Sequence, residues 1–474
     1  MLPYGPYRPD IAETNPAMSR HVLNVNPRKD SQGISYHPRR SLQPTTGAMV
    51  FPSTPRGALA VVQRSGVFKA YFGSMDKLYE MDSTYQFVEI GTGYAVPAGN
   101  SWGMLQYGDR LIVTNTFDGM LEWDIESPTT VDLIADAPKA RSGFVWGEMI
   151  IALDCDGDNR IMMNSAPGSY TNWKTRGAAA QEFADGEALM GGGVVNDGQA
   201  VVIQRAAVRL LTLTGTERIF RSDRFPGDVG AVSPESIVQI PGGVAFMDSS
   251  GPQIATAQGV LAIGDNKVAR TFVASVGDIA AVTGAYDPEL KQIVWRKSDT
   301  ELLTYDLATQ EFVPVNESTA YVIRMSNPAL TLEELDQFGN METLPYPLDS
   351  NAWKGGRPRL AALDADFKFG FFDGSPLAAQ MDTATLTDNV SMLVSWLAPV
   401  TDDPEATATL GVRDRLPDAV SYKTPSTMTA SGRCAVRGRG KCIVVRVDHA
   451  AGATWTYDRG IEIPPNGISK GGPK

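Results

Sequence analysis

The chain has 474 residues, of which 43% are hydrophobic and 20% charged, the composition of an ordinary globular protein long enough for a large core and two domains. No apolar run approaches the roughly 18 residues that a membrane helix needs, and the opening MLPYGPYRPD has neither the basic nor the apolar region of a signal peptide, so a membrane anchor is not expected. The net charge of −12 argues against a static, salt-sensitive grip on nucleic acid, but it permits a conduit along which phosphate slides.

Residues 1–45 are irregular and rich in Pro and Asn, which predicts an extended N-terminal arm. Between Arg20 and Lys69 the chain is basic: Arg20, Arg28, Lys29, Arg39, Arg40, Arg56, Arg64 and Lys69 stand against one acid, Asp30. That run reads either as a solvated face or as a docking surface for an acidic neighbour.

Short β-branched or aromatic segments bounded by turn residues follow, among them VFKAYFG, RLIVTN, MLEWDI, MIIAL, AVVIQ, GVAFMD and QIVWR. Hairpin-like turns recur at Gly66, Gly108, Gly147, Gly198, Gly243 and Pro288. A period of about 40–50 residues with several strands per unit is the spacing of β-propeller blades. The expectation is an all-β chain with a propeller over 46–325. Six blades are preferred, and a hairpin near 359–375 could supply a seventh. Trp102, Trp123, Trp146, Trp173 and Trp295 recur about once per unit and read as packing between blades.

Residues 326–358 read as an insertion or loop. Its best helix is LTLEELDQF (330–338), where Thr331 and Glu334 have capping-box spacing. Residues 359–385 read as a last hairpin or closing blade. Longer strands then predict a C-terminal β-sandwich-like domain over 386–467, followed by a flexible tail at 468–474. A second basic run, Arg433, Arg437, Arg439, Lys441 and Arg446, lies in this domain. Cys434 and Cys442 stand symmetrically about Gly438 in CAVRGRGKC, which reads as a hairpin; two reduced thiols are expected there, although a cross-strand disulfide is open on geometry.

Catalytic and metal motifs fail. Asp154, Asp156 and Asp158 begin a calcium-loop pattern, but Asn159 and Ser165 occupy the places that need Gly and Glu, so a solvated hairpin turn is expected. His21, His37 and His449 are the only histidines, and none has a metal-ligand partner at sequence spacing. The Gly-rich GGGVVNDG (191–198) leads into a hairpin, not a helix, and so offers no phosphate cradle. The expectation is no enzyme, no catalytic, cofactor or metal residues, and no cofactor.

Certain motifs in fixed order carry a resemblance. SWGMLQYGDRLIVTN supplies Trp102, then Tyr107-Gly108-Asp109 and Thr114-Asn115; Ala137-Pro138-Lys139-Ala140 follows, and then a stretch from Ser165 to Trp173. SPESIVQIPGGVAFMDSSG, AIGDNKVARTF and SGRCAVRGRGKCIVVRVDHAAGATWTYDRGIEI complete the series. Together they resemble the tail hub or nozzle proteins of short-tailed bacteriophages, the packaged-DNA stabilisation proteins, over about residues 24–467. Two places depart from that pattern: Lys441-Cys442 replaces an aromatic, and 325–358 matches nothing in it. The resemblance implies a structural virion protein, assembled in the host cytoplasm and resident in the tail. It implies a homo-oligomeric ring, commonly a hexamer, below the portal and its adaptor. The ring would touch a tail needle or plug and fibres or spikes, retain packaged double-stranded DNA without reading its sequence, and let it pass at ejection. The other reading is a glycan-binding or glycan-cleaving propeller of a phage tail.

Overall fold

The computed structural model describes residues 2–11, 18–30, 33–82, 84–127, 130–215, 219–326, 358–463 and 468–470. Seven four-stranded antiparallel sheets form a seven-bladed propeller. Six blades are simple meanders. The first runs Ala58–Val62, Phe68–Gly73, Lys77–Met81 and Phe87–Thr92. The sixth runs Thr283–Asp287, Gln292–Arg296, Glu301–Asp306 and Phe312–Asn316. The first strand of each blade touches that of the next, and the seventh returns to the first, closing an inner ring.

All six turn positions read from the sequence fall at or next to the hairpin between the first two strands of a blade. The seventh blade departs from that rule. Tyr321–Met325 and Arg359–Leu363 pair directly, although residues 326–358 separate them. Phe369–Phe371 is its third strand, and its outermost strand is Gln43–Pro44, drawn from the N-terminal segment. Of the two blade counts left open, seven is correct. The predicted helix at 330–338 lies outside the described residues. A helix not anticipated, Ala269–Ser275, joins the fifth and sixth blades.

Blades are held together by apolar side chains between sheets. Trp102 and Trp123 pack with Val61, Tyr71 and Leu111 between the first two blades. Trp146 joins the third and fourth, and Trp295 the fifth and sixth. Both Trp146 and Trp295 are fully buried. Two of them also satisfy the indole N–H on a carbonyl: Trp102 donates to Ser74 O at 2.8 Å and Trp295 to Ser236 O at 3.0 Å. These pairs confirm the packing role read from their recurrence.

The second domain is one sheet of 11 strands that folds around a single core. Two 16-residue strands, Leu386–Thr401 and Cys434–His449, are its spine. It is not purely C-terminal. Val22–Leu23 pairs with Ala379–Asp382, and the hairpin Val25–Asp30/Gly33–Pro38 meets Asp458–Glu462 at Tyr36. The expectation of an extended arm over 1–45 is therefore corrected: the segment forms strands of both domains. The boundary also shifts, because Ala379–Asp382 belongs to the second domain and not to the closing blade. The tail is corrected in part, since Ile468–Lys470 pairs with Met392–Val394. No helix among the described residues is long and apolar enough to cross a membrane.

Candidate docking surfaces

Four cations of the N-terminal basic run are committed within the chain, while Arg28 and Lys29 are exposed. Arg39 is buried and donates to Asn26 Oδ1 and Gln292 Oε1, and its guanidinium lies over the Phe372 ring. Arg56 donates to Val96 O, Arg64 pairs with Asp109 at 2.8 Å, and Lys69 pairs with Glu80 at 2.7 Å. These cations hold the arm and the first blade in place, each against its own acceptor.

The arm is fastened at further points. Arg8 grips Glu311 on the sixth blade with two hydrogen bonds. Asp10 accepts from the backbone N–H groups of Arg270 and Thr271 at 2.7 and 2.8 Å, capping the helix that follows the fifth blade. Asn24 accepts from Asn316 N at 2.7 Å. The two domains are thus stitched by the first 40 residues.

The second basic run behaves differently. CAVRGRGKC is one continuous strand with no hairpin, so Cys434 and Cys442 lie eight residues apart along it, about 26 Å at strand rise. A disulfide between them is excluded. Both thiols are free and buried, and burial pushes their pKa values up. Burial alternates strictly along 434–442. The even positions face inward, and Arg437, Arg439 and Lys441 face out. Gly438 and Gly440 face inward, where a Cβ at Gly438 would press on Leu410 and Val412 and one at Gly440 on Val412 and the Arg413 backbone. Arg433 lies 4.0 Å over the Trp396 ring, and Arg439 donates to Ser391 Oγ. Arg446, the last of the run, is instead committed to Asp382 through two bonds and stacks on Tyr422.

His449 ends this strand in a site that sequence spacing did not reveal. It is fully buried between Asp403 (Nδ1 to Oδ2, 2.7 Å) and Asp458 (Nε2 to Oδ2, 3.1 Å). Its ring stacks on Trp455 at 4.1 Å and 10°. Burial opposes the imidazolium, but the carboxylates of Asp458 and Asp403 outweigh it and raise the His449 pKa. Burial raises the Asp458 pKa, and His449 pulls it back. The cluster is an ion-pair clamp at the centre of the second domain. His21 and His37 lie apart from it, beside Gln380 and Ser35.

The other sequence candidates are structural. Asp156 and Asp158 sit at the hairpin joining Met149–Cys155 to Asp158–Asn164, as the solvated-turn reading expected, but Asp154 is buried in the first of these strands; Arg141 holds Asp154 at 2.9 Å and Arg160 holds Asp158 at 3.3 Å. Burial raises the Asp154 pKa against the pull of Arg141. The Gly-rich 191–198 lies in a first strand and its hairpin, as read. The motif residue Thr114 fastens two blades, its Oγ1 donating to Ala140 O at 2.7 Å, and Asn115 fixes the turn that follows, its Oδ1 accepting from Phe117 N and Asp118 N.

Recesses open at both ends of the propeller's inner ring. Where the first strands begin, a recess of about 290 Å³ is lined by Arg56, Ser101, Arg141 and a single carboxylate, Glu235. Burial raises the Glu235 pKa, with Ser101 and Arg296 opposing. Where the first strands end, the lining is apolar apart from Gln239 and Arg324.

No family model and no curated protein matches this chain. Solved propellers resemble its fold. A streptogramin B lyase is 9% identical, with 60% of this chain and 94% of that chain covered and a TM-score of 0.41. The BBS1N part of a complex with ARL6DN is 9% identical over 70% of this chain and 96% of that one, with a TM-score of 0.41. The Myceliophteria thermophila Cps50 (Swd1) propeller domain is 8% identical over 59% and 95%, with a TM-score of 0.37. Identity this low speaks to architecture alone.

Proposed function

We propose that this protein is a structural subunit of a short-tailed phage tail, the hub or nozzle ring below the portal and adaptor. The observation that carries the reading is the ordered series of hub-like motifs, from SWGMLQYGDRLIVTN to the Trp455-containing C-terminal stretch. The positions of those motifs support it. Trp102, Thr114, Asn115 and Ser165 are buried fasteners of the second and third blades, so the resemblance rests on scaffold residues and not on a catalytic set. A closed propeller hides its sheet edges, which lets copies pack side by side through loops without edge-to-edge fusion. A head-to-tail contact that closes on itself gives a ring. The protein's part in retention and ejection is then mechanical: the ring seals the channel on assembly and opens by rearrangement.

The glycan-cleaving reading calls for two carboxylates across a bond. The recess where the first strands begin has one, Glu235, in its lining. The test is genetic. Particles made without this protein should lose packaged DNA and carry incomplete tails in electron micrographs. Knockout particles with complete tails and retained DNA would refute the hub.

A further inference from the structure

Among the described residues the row Arg433, Arg437, Arg439 and Lys441 is a charged surface without ion-pair partners. Many cations elsewhere on this protein are paired, among them Lys77 with Glu89, Arg110 with Asp124, Arg160 with Glu182 and Arg359 with Asp373. Among the described residues none of the four has an ion-pair partner, and their only side-chain contacts are with the Trp396 ring and the Ser391 hydroxyl. All four are exposed. Arg437, Arg439 and Lys441 project from the same side of one strand, so their charges recur about every 6.6 Å, and the row from Arg433 runs about 26 Å. The buried glycines alternate with the charged side chains, which leaves Arg437, Arg439 and Lys441 on the outer face.

We propose that this row binds the phosphate backbone of nucleic acid without reading sequence. A straight, evenly spaced file of charges complements a linear polyanion, whose charges also recur at a fixed interval. A folded acidic partner would need a matching row of carboxylates at the same spacing. Arg supplies a planar fork suited to phosphate at three of the four places. The Lys441 end is the weaker one, because Asp388 and Asp414 line the recess beside it. Four contacts set against a chain of net charge −12 make a local and reversible grip. The inference deepens the hub reading, on which it rests for its setting, by naming the element that would hold DNA in a conduit otherwise built to let it slide.

The test is anisotropy of a fluorescein-labelled, random-sequence DNA duplex titrated with the full chain at 50–200 mM salt. With four phosphate contacts the slope of log K against log salt should lie near −3.6, and affinity should fall about 10²-fold across that range. R437Q should reduce the slope by about 1. The quadruple Gln variant should lose nearly all binding and keep its thermal melt, since the four side chains are exposed. R176Q/K423Q, which removes two charges away from the row, should bind as the parent does. Equal binding by parent and quadruple variant overturns the proposal. So does sedimentation showing that the row drives self-association while DNA is not bound, because the partner would then be a second copy. Neither result depends on where the protein resides, so failure here is distinct from failure of the hub reading.

Discussion

Replacing His449 by Phe separates the ion-pair clamp from packing. Phe keeps an aromatic ring of similar size on Trp455, 4.1 Å away in the parent, but it removes both N–H donors. Asp403 and Asp458 are then left as buried carboxylates without their cation. Breaking a buried pair from one side costs about 3–5 kcal/mol, because the remaining charge stays desolvated. The pH dependence is the sharper signature. The folded His449 pKa is raised above its unfolded value of about 6.5. Its stabilisation is therefore fully present below pH ~6.5 and is lost as pH rises through the folded value. At the acid end the variant recovers, because burial already raises the Asp458 pKa and a protonated carboxyl needs no cation. The stability gap between parent and H449F should thus be widest near pH 6 and narrow in both directions. Urea unfolding followed by far-UV circular dichroism from pH 4 to 9 measures it. A gap below about 1 kcal/mol, or one that is flat with pH, would refute the clamp.

Three further outcomes are expected. G73A should cost about 1–3 kcal/mol, because the new Cβ collides with the Trp102 indole, and in a W102A background, where the colliding ring is gone, the same substitution should cost less in a double-mutant cycle; additive costs would show that the two do not touch. Alkylation should label none of Cys155, Cys434 and Cys442 in the native chain and all three after unfolding without reductant, whereas incomplete labelling of unfolded protein would reveal a disulfide. A chain beginning at residue 46 should be insoluble or unfold at markedly lower temperature, since it lacks the outer strand of the seventh blade and three strands of the second domain; an unchanged melt would contradict the stitching role of the arm.

Much of the propeller was legible because each meander repeats one local device, a tight turn between the first and second strands. Gly108 and Gly147 adopt positive φ at these turns, a conformation that glycine takes at little cost and that sequence can show. The seventh blade escaped because it lacks that turn: residues 326–358 replace it, and its last strand comes from the other end of the chain. Long-range closure leaves no local pattern. In CAVRGRGKC two signals competed. Symmetry about Gly438 suggested a turn, but the strict alternation of small and basic residues was the period-two signature of a half-buried strand, and packing of Gly438 on Leu410 and of both glycines on Val412 decided for the strand. The helix at Ala269–Ser275 spans seven residues, too short for helical periodicity, and it is capped by Asp10, far away in sequence. The clamp was invisible for the same reason. His449 lies 46 residues from Asp403, and only the sheet brings them together.

Electron cryomicroscopy of purified particles decides whether this protein is a tail hub, by fitting the propeller and its sheet domain into tail density. A hub gives a closed ring of copies directly beneath the portal adaptor, surrounding the DNA path. Density there that rejects the fold, or particles in which the protein is absent, would contradict it.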